Sequence, residues 1–234
     1  MDGDLRPPRA RSRNTRQRIV EAALRLFNER HFGNVTTSEL AAEVGIAEGN
    51  LWYHFRNKRA LLDELSGLYV ERARGRLVLS PGQGDILDAY ADMLRAMTGE
   101  VRDFRFIFRD RADFGELSPQ LAQNLASIYG GTWRQMSDFF KAMRAAGHLS
   151  IADEWIGAHV SNAILIIRFS LEFFRELNVE EVGSDHAAWG VVQHLAALGE
   201  MLEPAARDHL VERLGLAGAM EKAKAMPFAL PGGT

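Results

Sequence analysis

Cysteine is absent from the 234 residues of this chain. Disulfides and thiolate metal sites are thereby excluded, which fits a reducing, cytoplasmic setting. The seven histidines (His31, His54, His148, His159, His186, His194, His209) show no HxxxH or HExxH spacing, so no metal is expected. His186 and His194 lie two helical turns apart and read as satisfied interface histidines rather than ligands. There is no GxSxG nucleophile elbow and no GxxxxGKS/T phosphate loop. Ser80-Pro81-Gly82-Gln83-Gly84 is a plain chain break. No catalytic residue and no cofactor is therefore assigned. Long apolar runs are missing too. The opening residues, MDGDLRPPRARSRN, are polar and unlike a signal peptide. The longest uncharged stretches, Trp155–Ile167 and His186–Gly199, fall short of the roughly 18 residues of a membrane span. They read as buried helices, with no membrane partner.

What is present is a large apolar complement, 47% of the residues, enough for one large or two modest domains. The net charge of −3 hides an asymmetry. Residues 1–60 hold 11 Lys/Arg against 7 Asp/Glu, and the remainder 17 against 24. A basic end on an acidic body suits DNA contact by that end alone. Six arginines and no acid fall within residues 6–18. Arg6 to Arg11 fit either a phosphate- or minor-groove-contacting arm or a solvated tail. Arg13, Arg16 and Arg18 lead into the first helix and are placed for phosphates.

One stretch organises the rest: TTSELAAEVGIAEGNLWYHF, residues 36–55. Thr36 and Glu39 form a capping box at a helix start. Leu40, Ala41 and Val44 follow at helical spacing. Gly45 ends the helix where a positive φ costs glycine little. A second short helix, Ala47 to His54, turns Leu51 and Phe55 inward at i, i+4. Asn50, Trp52, Tyr53 and His54 are left towards the outside. Ala41 is small enough for the two helices to cross closely. The pattern is a helix-turn-helix whose second helix can enter a major groove about 12 Å wide.

The remaining chain is helical by pattern, giving an all-α fold. A first helix from about Thr15 to Arg30 carries Ile19, Ala23, Leu26 and Phe27 on one stripe. A fourth, about 57–79, connects the reading head to the body. The body follows as helices near 86–97, 118–146, 153–177, 184–202 and 205–225, with a short segment at 103–113. This divides the chain into a basic flexible arm (1–13), a DNA-binding domain (14–58) and a regulatory and dimerisation domain (59–234).

Gly45-Ile46-Ala47-Glu48-Gly49-Asn50-Leu51-Trp52-Tyr53-His54-Phe55 and the following Arg56-Asn57-Lys58-Arg59-Ala60-Leu61-Leu62 resemble the DNA-binding domain of TetR-family repressors over about residues 14–65. The resemblance implies that Glu48, Gly49, Asn50, Trp52, Tyr53, His54 and Lys58 face DNA. It also puts Thr36, Thr37 and Ser38 within reach of backbone or bases. Trp52 stands where the family usually has tyrosine, so an indole N–H replaces a phenol. Ser38 stands where some relatives carry a long basic residue.

The helices near 153–177 and 184–202 are apolar over most of their circumference and must be covered on more than one side. This suggests a subunit interface as well as a core, with complete burial within one chain as the alternative. Ile164, Ile167, Phe174, Trp189, Val192, Leu195 and Leu198 are the candidates. The resemblance implies a four-helix bundle between two copies. An excess of aromatic and thioether side chains, Tyr90, Met93, Met97, Phe104, Phe108, Tyr129, Trp133, Met136 and Phe140, marks either core or a ligand pocket, with Arg105 and Arg109 as anchors. The expectation is a dimeric regulator, most simply a repressor, that binds a palindromic operator in double-stranded DNA and is released by a small apolar or aromatic effector. The rival is an all-helical adaptor with a vestigial helix-turn-helix.

Overall fold

The computed structural model describes residues 8–82, 84–110, 118–176 and 184–223, with side chains from Thr15 onward except at 174–176 and 184–187. Among these residues there are eleven α-helices, one 3-10 turn (Gly199–Met201) and no strand. The α-helices are α1 (Pro8–Arg30), α2 (Thr37–Val44), α3 (Glu48–His54), α4 (Lys58–Leu77), α5 (Ile86–Asp103), α6 (Arg105–Arg109), α7 (Pro119–Ala145), α8 (Asp153–Glu176), α9 (Ser184–Leu198), α10 (Pro204–Leu214) and α11 (Ala217–Ala223). A single antiparallel bridge joins Leu149 to Leu202.

The helix from Ile86 runs on to Asp103 and that from Ser184 stops at Leu198, and three further boundaries differ from the sequence reading. The first helix begins at Pro8, seven residues early, because proline is tolerated in a first helical turn. Pro204 starts a helix rather than only interrupting one. Glu203 caps it by accepting the Ala206 N–H at 2.8 Å. The last helix is two, split where Gly215 adopts φ 68°.

The chain falls into two compact units, Met1–Glu71 with Asp103–Leu125, and Arg72–Arg102 with Ala126–Thr234. The first unit is built on Ile19, Ala23, Leu26, Phe27, Leu40, Leu51 and Leu62, all essentially inaccessible. Phe27 meets Phe32 edge-on at 5.1 Å and Phe106 at 5.6 Å. Tyr69 of α4 meets Phe104 and Phe108 at 5.7 and 5.4 Å. In the second unit, α5, α7, α8, α9 and α10 bury one continuous apolar cluster that includes Met93, Met97, Met136, Phe139, Phe140, Val160 and Leu195. Gly190 lets α9 close on α8: a Cβ there would lie 2.5 Å from Ser170 Oγ.

Candidate nucleic-acid interface and regulatory residues

The reading head follows from its local chemistry. Thr36 Oγ1 accepts the Glu39 N–H at 3.2 Å, and a Glu39 carboxylate oxygen accepts the Thr36 N–H at 2.8 Å. Both halves of the capping box are made, so orphan donors at the start of α2 are satisfied. Those hydrogen bonds to Thr36 hold the exposed Glu39 carboxyl below its ordinary range. At the other end Gly45, with φ 70°, donates to Ala42 O and Ile46 donates to Ala41 O. That pair of bonds closes the helix and reverses the chain. Leu51 and Phe55 are buried beneath α3. The rotation of α3 is thereby fixed, and Glu48, Gly49, Asn50, Trp52 and Tyr53 stay exposed, Tyr53 to 80%. His54 is half-buried against the Tyr53 ring. Thr36 and Ser38 are exposed at the start of α2, and half-buried Thr37 donates its hydroxyl to Glu48 Oε1 at 2.6 Å.

Two of the expected phosphate contacts, Lys58 and Arg16, have partners within the unit. Lys58 donates to the carbonyl of Phe32, and its ammonium lies 4.3 Å from the Phe32 ring centroid and 5.7 Å from that of Phe27. Burial lowers its pKa, opposed by the charge of Glu39. Arg16 makes a bidentate pair with Glu64 at 2.7 and 2.8 Å and covers the Phe55 ring. Lys58 ties α4 to the end of α1, and Arg16 ties α1 to α4 through a solvent-exposed pair.

Residues 19–65 match the sequence model of "Bacterial regulatory proteins, tetR family", and residues 68–210 match that of TetR, "Bacterial transcriptional repressor". The chain belongs to the TetR family. The tetracycline repressor protein class D of Escherichia coli is 44% identical over 55 residues, 24% of this chain and 25% of that protein. The chain spans about a quarter of the length of the first such curated relatives. The HTH-type transcriptional regulator YvkB of Bacillus subtilis (strain 168) is 26% identical over 161 residues, 65% of this chain and 80% of that protein. Among solved structures, a TetR-family transcriptional regulator from Marinobacter aquaeolei VT8 superposes with a TM-score of 0.71 at 23% identity, covering 86% of this chain and 97% of the other. That likeness shows the fold.

The regulatory candidates of this TetR-family chain separate into groups. Tyr90, Met93, Met97, Met136 and Phe140 meet in the apolar cluster of the second unit. Tyr90 Oη lies 2.7 Å from His194 Nε2, and both side chains are fully buried. Tyr129 lies partly exposed under the Arg168 guanidinium, and Trp133 is exposed on α7. Phe104, Arg105, Phe108 and Arg109 belong to the first unit. The arginines are not free anchors there. Arg105 donates to Asn28 O, and Arg109 donates to Phe27 O and Asn28 O and pairs with Asp110. The carbonyls left over at the end of α1 are satisfied by these bonds. Asp110 also accepts the Phe32 N–H at 2.7 Å and lies 2.8 Å from His31 Nδ1. Burial raises its pKa, but Arg109 and the Phe32 N–H outweigh that and leave it lowered.

Of the interface candidates, Ile164, Ile167, Val192, Leu195 and Leu198 are buried within the second unit itself. Phe174 lies outside the described side chains. Trp189 stacks on Phe173 at 5.6 Å and lines an open groove of about 550 Å³ with Leu165, Ile166 and Phe169. The expectation that no segment reaches membrane-span length needs correction. By length and composition Asp153–Phe173 of α8 does, with a mean hydropathy of 1.2 over an 18-residue window in which Arg168 and Glu172 are the charged residues. Its apolarity is divided between Ile156, Val160, Ala163 and Ile167 in the core and Leu165 and Phe169 on the open face.

Sequence spacing also missed three clusters. Arg76 of α4 pairs with Glu100 of α5 at 2.8 Å and donates to Gln135 and Thr132 of α7, all buried. Tyr90 and His194 stand 104 residues apart. Asp85, Asp88 and His209 come close enough to hold a cation. Asp85 already accepts N–H groups at the start of α5, however, and Asp88 is engaged by His209 and Arg213.

Proposed function

We propose that this chain is a repressor that binds a palindromic operator as a homodimer and releases it when a small apolar or aromatic effector binds. One observation carries the DNA reading: α3 offers Glu48, Gly49, Asn50, Trp52 and Tyr53 on one exposed face while Leu51 and Phe55 lock its other face into the core. A helix fixed in rotation and free on one side is what groove entry requires. A DNA-binding role supports a cytoplasmic location. The exposed aromatic face around Leu165, Phe169, Phe173 and Trp189 supports self-association, since a patch of that kind marks an interface. An apolar effector would have to enter among Tyr90, Met93, Met97, Met136 and Phe140, which pack against one another as core, with Tyr90 and His194 bonded to each other.

The test is a gel shift on DNA flanking the gene, with a salt series. Specific binding that weakens steeply with salt is the expected result. No shift on any genomic fragment would favour the adaptor. For the effector, linkage requires that a ligand which releases operator bind more weakly when operator is present. Calorimetric titration of a candidate with and without operator reads this directly, and equal affinities would exclude that candidate as the switch.

A further inference from the structure

We propose that Glu48 reads a cytosine, one in each half-site, and that Thr37 is the positioning residue that aims it. The proposal rests on the DNA-binding role given above. A carboxylate on the exposed face of α3 is an unusual tool for approaching a polyanion. Phosphates repel it, and most base edges do too. In the major groove guanine presents two acceptors and thymine presents O4. Adenine sets its N6 donor beside the N7 acceptor. Cytosine N4 alone offers a donor with no neighbouring acceptor on the same base. A fixed carboxylate therefore selects cytosine and rejects the rest.

The structure fixes it. Thr37 Oγ1, on α2, donates to Glu48 Oε1, on α3, at 2.6 Å. The hydroxyl proton occupies one oxygen and leaves Oε2 for a base amine. The bond crosses from one helix of the pair to the other, so it also restrains a side chain that is otherwise exposed and long enough to swing away. Neighbouring Asn50 is equally exposed and carries both a donor and an acceptor. Glu48 thus supplies the rejecting element of the recognition surface and Asn50 a more permissive one.

The experiment is selection of binding sites from random duplexes by the full chain, followed by affinity measurements on single-base variants of the selected site. Wild type should show a cytosine column that discriminates about 5- to 150-fold, the range of one good base contact. Glu48→Gln should move that column to adenine, since a glutamine amide pairs with N6 and N7. Glu48→Ala should flatten it and leave the other columns in place. Thr37→Val should weaken the cytosine preference, and Thr37→Ser should restore it. Circular dichroism melts of each variant control for folding. If wild type selects a clear motif and both Glu48 variants keep every column unchanged, Glu48 reads nothing and the inference falls while the DNA-binding role stands. A uniform loss of affinity in Thr37→Val with the column intact would reduce Thr37 to a helix-packing role. If wild type selects no motif at all, the DNA-binding role falls and takes the inference with it.

Discussion

Tyr90 of α5 and His194 of α9 meet through a single 2.7 Å contact between Oη and Nε2, both fully enclosed by apolar side chains. Phe140 stacks on the imidazole with an interplanar angle of 17°. Burial, with a further push from the charge of His159, lowers the His194 pKa from 6.5 to about 4. The same burial raises the Tyr90 phenol, which stays protonated. Neutral imidazole accepting or donating one bond is thus the native state.

A depressed histidine pKa sets the sign of a pH effect. Between pH 6.5 and 4 the unfolded chain binds a proton that the folded chain refuses, so stability falls as pH falls. The full loss is ~3 kcal/mol, complete near pH 4. Melting curves of wild type and the Tyr90→Phe/His194→Leu double variant at pH 7.5 and 5 check this. The double variant should lose less on acidification. Tyr90→Phe alone should cost about 1–3 kcal/mol at pH 7.5, because His194 keeps its desolvation without its partner. Equal acid sensitivity in wild type and double variant would show that another group governs it.

The second prediction concerns the buried pair of Arg76 and Glu100. Removing one member leaves a buried charge, which typically costs about 3–5 kcal/mol. Burial raises the Glu100 pKa and the Arg76 charge opposes that rise, so loss of Arg76 raises it further. Arg76→Met should therefore destabilise strongly, and Arg76→Met/Glu100→Met should recover much of the loss. Chemical denaturation of the two variants decides it. If the double variant were no better than the single, the Gln135 and Thr132 bonds rather than the charge would carry the stabilisation.

How much of this was legible in the sequence depends on range. The capping box, the Gly45 stop and the inward Leu51 and Phe55 are set by residues three to four apart, so pattern alone finds them. The exposed face of α3 follows from them. Lys58 was legible only as a basic residue near a helix start. Its turn inward depends on Phe32, 26 residues away, and on where α1 ends. The Arg105 and Arg109 contacts to the end of α1 are 77 to 82 residues long. No periodicity carries such information. The two apolar faces of α8 were visible as excess hydrophobicity. Which face meets α9 was set by the approach of Gly190 to Ser170, and a sequence does not state that pairing.

Lys58 makes the third prediction. Its ammonium replaces solvent with a carbonyl and two aromatic faces. Lys58→Ala should lower the stability of the head by about 1–3 kcal/mol and weaken DNA binding on all sequences alike. Asn50→Ala should leave the unfolding free energy within about 0.5 kcal/mol of wild type and blur preference at one or two base pairs. Lys58→Ala with unchanged stability and reduced affinity would return this lysine to a phosphate-contacting role.

The last prediction separates core from interface on α8 by two neighbouring charges. Ile164 is buried in the cluster of the second unit, while Phe169, 49% exposed, opens on the groove with Leu165 and Trp189. Ile164→Glu puts an unpaired charge into a packed core and should unfold the unit. Phe169→Glu puts the same charge where a monomer tolerates it and a dimer does not. Its circular dichroism should match wild type, while sedimentation should show 26.1 kDa monomers in place of a species of twice that mass. DNA affinity should fall in parallel. Two heads joined in one particle engage half-sites one helical turn apart, about 34–36 Å, as a single event, and a lone head keeps only half of the contacts. Retention of the dimer mass in Phe169→Glu, with the fold intact, would move the interface off this face of α8. A monomeric wild type would remove the dimer from the proposed mechanism.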